Sequence, residues 1–226
     1  MKKNKKILVI ASHPDDEVLG CGGTLIKYSK MDYEIKIVFM TNGVSSRSKI
    51  KNNEILKRKK AAIKACKILG ANKPKFFNFK DNQMDSIPLL KIVKVIEKEI
   101  YLFKPSIIFT HFNGDLNIDH EITSRATLTA CRPILNHPVK NLFMFYVPSS
   151  TEWNHNKNKK NFIPNWFEDI SKSDKQKKLA LNCYKTEMRK WPHPRSLKNI
   201  SNLQEVFASE VGQKKTESFM LYRGLN

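Results

Sequence analysis

Acidic residues are scarce in this chain: its 226 residues hold 21 Asp and Glu against 41 Lys and Arg, a formal charge of +20. Such an excess points first to nucleic acid. The lysines are spread along the whole chain, however, and no arginine-rich run interleaves with aromatics. A nucleic-acid groove is therefore not expected, whereas attraction of anionic substrates is compatible with the charge. Cysteine is equally sparse. Cys21, Cys66, Cys131 and Cys183 show no paired short spacing, which excludes a zinc knuckle or a disulfide framework and leaves reduced thiols. Long apolar runs are missing too, since nothing approaches the roughly 20 residues of a membrane span. The basic start, Met1 to Lys6, precedes an apolar stretch of only five residues, Ile7 to Ala11, where a secretory core needs about 7 to 15. One cytoplasmic domain covering residues 1–226 is expected.

What is there is concentrated in residues 7–23. Ile7 to Ala11 are apolar and mostly β-branched, as in a strand buried on both faces. Pro14 breaks the run, Asp15, Asp16 and Glu17 follow, and Gly20, Gly22 and Gly23 lead into a helical segment from Thr24 to Ser29. The acids thus sit on a strand-to-helix turn, where open parallel sheets place their ligands. His13 and Asp16, three apart, suit one cation, imidazole plus carboxylate being an ordinary zinc ligand pair. Asp15 between them is placed to act as a base on water that the cation activates. The plainer reading is that the acids cap the next helix. One cap accounts for one carboxylate; three beside a histidine repel one another unless something positive binds.

The remaining pattern alternates strands and helices, as βαβ units do. Strands are predicted over Glu34 to Met40, Lys75 to Phe79, Ser106 to Thr110, Asn141 to Val147, Phe162 to Ile170 and Glu217 to Tyr222. Helices are predicted from Asn52 to Leu69, closed by Gly70, then after Pro88 with Leu89, Val93, Ile96 and Ile100 on one face, and from about His120 to Cys131. A further helix runs to Lys190, with Ser173 and Gln176 as a capping box, and another spans Ser196 to Glu210. Arg47 lies in a loop after the second strand, more simply read as a solvated residue than as a site group. The polar segment Pro148 to Lys160 reads as a loop over a site. His137 and His155, in polar surroundings, carry no assigned role. No internal repeat is present.

His13-Pro14-Asp15-Asp16-Glu17 after a hydrophobic strand, with the glycines behind it, resembles the PIG-L/LmbE-like zinc-dependent N-acetylglucosaminyl deacetylases. Thr110-His111-Phe112-Asn113-Gly114-Asp115-Leu116-Asn117-Ile118-Asp119-His120 is similar to that family's later motif. The resemblance implies an α/β, Rossmann-like three-layer fold with a mostly parallel central sheet and helices on both faces. It implies zinc, or another divalent ion such as Fe2+, held by His13, Asp16 and His120, with Asp15 as the base that returns its proton to the leaving amine. The implied substrate is an acetylated amino sugar, free or linked to a nucleotide, lipid or thiol. Arg58 and Asp81 fall at positions that contact substrate in the family.

The chain departs from the family at Asn117, where members commonly carry histidine. An asparagine amide donates a hydrogen bond but carries no proton. Either Asn117 stabilises the oxyanion, or His111 or His193 takes that part. Asp119 is placed to orient the His120 imidazole, and Asp115 either does the same or caps the coming helix. In Trp191-Pro192-His193-Pro194-Arg195-Ser196 the prolines would stiffen a loop presenting His193 and Arg195 to a pocket. A homo-oligomer is compatible with the sequence. The runner-up is a Rossmann-like nucleotide- or sugar-binding protein using the glycines to hold phosphate, although the fingerprint is incomplete and three acids would repel that anion.

Overall fold

A computed structural model describes residues 5–44, 52–155 and 161–225. Strand β1 (Lys6–Ala11) leads into helix α1 (Asp16–Ser29), followed by β2 (Glu34–Thr41), α2 (Asn52–Leu69), β3 (Lys75–Phe79), α3 (Leu89–Phe103), β4 (Ile107–His111), α4 (Ile118–Ala130) and β5 (Asn141–Phe145). Then come β6 (Trp166–Asp169), α5 (Asp174–Leu181), α6 (Leu197–Ser209) and β7 (Thr216–Arg223). The seven strands form one sheet in the order β3-β2-β1-β4-β5-β7-β6. The first five are mutually parallel, and β7 runs antiparallel between β5 and β6.

Period-two alternation in β1 explains the layers. Ile7, Val9 and Ala11 join Ile35, Ile37 and Phe39 of β2 in a core under α1, α2 and α5. Leu8 and Ile10 turn the other way, with Val38 and Met40, into a second core under α3 and α4. Both faces of the central strands are therefore dry, each buried aliphatic side chain contributing about 1.5–3 kcal/mol. Order reverses between β1 and β4, each of which feeds a loop from its carboxyl end into the crevice so formed.

The α1 glycines are set by packing. A Cβ on Gly20 would lie 2.3 Å from the Phe145 ring, and one on Gly23 2.9 Å from Ile170. The helix is kinked at Cys21, with φ −143°. The amides of Gly23 and Thr24 just beyond it both donate to the Glu217 carboxylate at 2.7 Å, which pairs with buried Lys177 at 2.6 Å.

Several boundaries differ from expectation. Helix α1 begins at Asp16 rather than Thr24, so the acids form its first turn. The predicted strand from Phe162 contracts to four residues. The helix expected to reach Lys190 stops at Leu181 and passes into a short 3₁₀ turn, Asn182–Tyr184. That turn drives Tyr184 into the core, where its hydroxyl donates to Glu17 Oε1 at 2.6 Å. Ser173 makes no side-chain capping bond, so the capping box is not formed; Ser196, by contrast, caps α6 by accepting from the Asn199 amide at 3.1 Å. The four cysteines are free thiols. Among the described residues no helix is long and apolar enough to cross a membrane.

Candidate metal centre

The turn after β1 is held in a conformation that side chains rarely adopt. Asp15 has φ 127°, a region that costs a non-glycine residue on the order of 1–3 kcal/mol and that collects at functional sites. Its neighbours fix it. The His13 amide donates to Asp16 Oδ2 at 2.8 Å, and the Asp15 amide donates to Glu17 Oε2 at 2.9 Å. Asp15 occupies the helix-capping position, yet its carboxylate makes no capping bond.

Three donor atoms converge across the crevice. His13 Nδ1 lies 3.1 Å from His120 Nε2 and 3.2 Å from Asp16 Oδ2, and His120 Nε2 lies 3.3 Å from the same oxygen. Ligands bound at about 2.0–2.1 Å to a tetrahedral ion stand about 3.3–3.4 Å apart, so the triangle already has the size of one face of a zinc coordination sphere. Two nitrogens and one oxygen, all buried, leave one position open, which is the pattern of catalytic rather than structural zinc.

Each imidazole is backed by a carboxylate on its other nitrogen. His13 Nε2 lies 3.1 Å from both Asp119 Oδ2 and Asp81 Oδ1, and His120 Nδ1 lies 3.2 Å from Asp115 Oδ1. Asp119 thus backs His13, not the His120 imidazole beside it in sequence. Its carboxylate accepts from the amides of Asn82 at 2.7 Å and Met84 at 3.1 Å. Asp115 accepts from the Thr151 hydroxyl at 2.7 Å, from Ser150, and from the Asn117 amide at 2.9 Å. Such partners fix tautomer and ring orientation in metal-binding histidines.

The electrostatics follow. Burial opposes charge on Asp16, but His120 and His111 outweigh it and hold the carboxyl well below its usual range. Burial likewise opposes the His120 cation, and Asp16 and Asp115 raise its pKa to about 9. A buried carboxylate held charged between two imidazoles suits a cation that takes the place of their protons.

Asp15 lies beside the triad with both arginines on one oxygen. Arg58 Nη2 stands 3.1 Å and Arg195 Nη1 2.9 Å from its Oδ2, while Oδ1 is buried with no hydrogen-bond partner. Burial dominates its titration and, against both arginines, raises the carboxyl pKa. Arg58 is held in turn by Glu187, and Arg195 by the Ser149 hydroxyl at 2.7 Å. A cleft of about 280 Å3 borders Arg58, lined in part by Lys57, Tyr184 and Glu187.

Other predicted residues are placed differently from expectation. Asn117 caps α4, its Oδ1 accepting from the amides of Asp119 and His120, while its amide nitrogen donates to Asn82. His111 is wholly buried and stacked under His120 at 3.9 Å between centroids. Its Nε2 accepts from the Ser12 amide at 2.8 Å, so it faces the protein rather than a pocket. His193 Nδ1 accepts from the Arg195 amide and its ring meets Trp153 edge-on; it holds the loop that carries Arg195. Asp81 is buried against His13. His137 is half-buried and His155 exposed, and Arg47 lies outside the described residues. Tyr184, Glu187, Ser150 and Thr151 were not singled out from sequence. Nothing in their local pattern marks them, because their partners lie 35 or more residues away.

A mostly parallel sheet with a His-Asp-His cluster at its switch point defines an α/β protein with a candidate metal centre. Residues 8–131 match the family model for PIG-L, GlcNAc-PI de-N-acetylase, and the chain belongs to that family. It is 30% identical over 158 residues to the uncharacterized deacetylase YaiS of Escherichia coli K12, covering 66% of this chain and 82% of that protein. It is 29% identical over 131 residues to the probable N-acetyl-alpha-D-glucosaminyl L-malate deacetylase 2 of Bacillus subtilis, covering 55% and 59%. In fold it is similar to N,N'-diacetylchitobiose deacetylase from Pyrococcus horikoshii, with a TM-score of 0.77 at 21% identity over 97% of this chain and 84% of that one.

Proposed function

We propose that this chain is a zinc-dependent deacetylase of N-acetylglucosamine-type sugars, working as one domain. The observation that carries the reading is the triangle of His13, Asp16 and His120 donor atoms, 3.1–3.3 Å on a side, with the Asp15 carboxylate next to it. Family membership and the deacetylases among its relatives support the same chemistry.

His13, Asp16 and His120 would hold the ion, with Asp119, Asp81 and Asp115 fixing the two imidazoles. When bound, zinc supplies Lewis acidity toward a water and toward the acetamide carbonyl. Fe2+ suits the same donors. The unpartnered Oδ1 of Asp15 takes the proton of the attacking water and passes it to the departing sugar amine, while the arginines on Oδ2 keep the carboxylate aimed. Arg58 and Arg195, which both contact Asp15, are the candidates for contact with sugar oxygens. Among this chain's side chains, oxyanion stabilisation would fall to one of these arginines, since Asn117 serves the helix cap, His111 is enclosed and His193 holds the loop that carries Arg195.

Phosphate binding by Gly20, Gly22 and Gly23 is disfavoured, because all three are buried in helix packing. The test is amine release from a panel of N-acetylated sugars with added zinc, comparing the unaltered chain with Asp15→Asn. Turnover of at least one sugar, lowered by about 10²–10⁴ in the variant, is expected; no turnover across free, nucleotide-linked, lipid-linked and thiol-linked sugars would overturn the reading.

A further inference from the structure

Four of the apolar side chains left on the surface, Tyr101, Leu102, Ile134 and Leu135, lie at the end of the sheet opposite the catalytic loops. There the last turns of α3 and the loop after α4 form the walls of one groove of about 550 Å3, lined by Tyr101, Lys104, Ile134 and Leu135 among others. Tyr101 is 76% exposed, Leu102 60%, Ile134 67% and Leu135 92%. Helix α3 already buries Ile92, Val93, Ile96, Ile100 and Phe103 in the core, so these groups are additional to those the fold requires.

The charge around the groove is mainly basic, with Glu97 as the acid in its wall. Lys98, Lys104, Arg132 and Lys140 are exposed. The two acids on this part of α3 are both engaged: Glu97 meets Lys94 at 2.8 Å and Arg132 at 3.7 Å, and buried Glu99 bridges Lys36 at 2.7 Å and Lys75 at 2.5 Å.

We propose that this pole docks on an anionic lipid bilayer, with Leu135, Ile134 and Tyr101 entering the headgroup boundary and the surrounding lysines and arginine meeting the lipid charge. A second copy of the chain would press two basic surfaces together in a protein carrying +20. A nucleic acid would satisfy the charge but leave Ile134 and Leu135 in water. An anionic bilayer accepts both the apolar tips and the cations around them. Docking also fixes orientation. Strand β4 begins at Ile107, just past Lys104, and ends at His111 beside the metal cluster, so the catalytic mouth points away from the lipid and takes its substrate from the aqueous side.

The test is co-sedimentation of the full chain with vesicles of phosphatidylcholine alone or doped with phosphatidylglycerol. Binding to the doped vesicles only is expected. Tyr101→Ser with Leu135→Ser, which leaves the charge unchanged, should weaken it about tenfold or more, and Lys98→Glu with Lys140→Glu should weaken it comparably, with thermal melting and zinc content unaltered in both. Equal binding by the serine variant would reduce the effect to bulk charge and overturn the proposal. So would absence of binding, equal binding to neutral vesicles, self-association or DNA retention lost on the same serine substitutions, or inhibition of amine release by the doped vesicles.

Discussion

Arg195 reaches Asp15 across 180 residues of sequence, its Nη1 lying 2.9 Å from Oδ2, the same oxygen that Arg58 Nη2 approaches at 3.1 Å. Two guanidiniums on one oxygen leave the other as the only face from which Asp15 exchanges a proton. Asp15→Asn preserves the shape of the side chain and removes its basicity. It is expected to lower kcat by about 10²–10⁴ while zinc stoichiometry stays unchanged, as read by amine release and metal analysis on the same sample.

Asp119 separates orientation of the ligand from ligation itself. It touches His13 Nε2 and is clamped by two loop amides, so Asp119→Asn should leave the three ligands present but His13 less firmly held. Zinc affinity is expected to fall about 10–100-fold, measured by competition with a chromogenic chelator. An unchanged affinity would assign the orienting role to Asp81 alone.

Glu17 gives a pH dependence with a definite sign. It is fully buried, and burial, against the Tyr184 hydroxyl and the Asp15 amide, raises its pKa to about 8, compared with about 4.3 in the unfolded chain. Between those values the folded state holds more protons than the unfolded one, so stability falls as pH rises across the window. Glu17→Gln can accept from the Asp15 amide through its side-chain oxygen and meet the Tyr184 oxygen, which donates to Glu17 in the unaltered chain, with its amide nitrogen. In metal-free protein it should remove that decline, a difference of a few kcal/mol by pH 8 in urea melts.

Gly20 tests the reading of the glycine cluster. Gly20→Ala places a methyl 2.3 Å from the Phe145 ring, and overpacking of that kind costs about 1–3 kcal/mol. Phe145→Leu in the same chain should recover part of the loss. A neutral Gly20→Ala would mean the ring yields freely and that the glycine is there for another reason.

How far these features could be read from the sequence depended on whether the signal was local. The continuous apolar run from Ile7 to Ala11, the helix from Asn52 closed by Gly70, and the short aromatic strand from Lys75 are set by neighbours in the chain, and each lies where the pattern put it. Gly70 adopts φ +73°, as the end of a helix favours. His13 and Asp16 were legible because three residues on a tight turn must share a side. The supporting shell was not. Asp119 turns to His13 because the loop after β3 supplies two amides to its carboxylate, a tertiary contact that adjacency to His120 disguised. Asn117, read as a donor to substrate, stands one residue before a helix and caps it. Helix α5 looked longer because no glycine or proline interrupts the sequence between Leu181 and Lys190. The buried Glu17 carboxylate, which draws Tyr184 inward, leaves no mark on that stretch of sequence.

The most direct test of the joint metal site is a zinc-binding isotherm on chelator-stripped protein, comparing the unaltered chain with His120→Ala. One tight equivalent is expected for the former and at least a hundredfold weaker binding for the latter, with both variants sharing the same circular dichroism. Tight binding that survives loss of the His120 imidazole would contradict a centre built jointly by the turn after β1 and the start of α4.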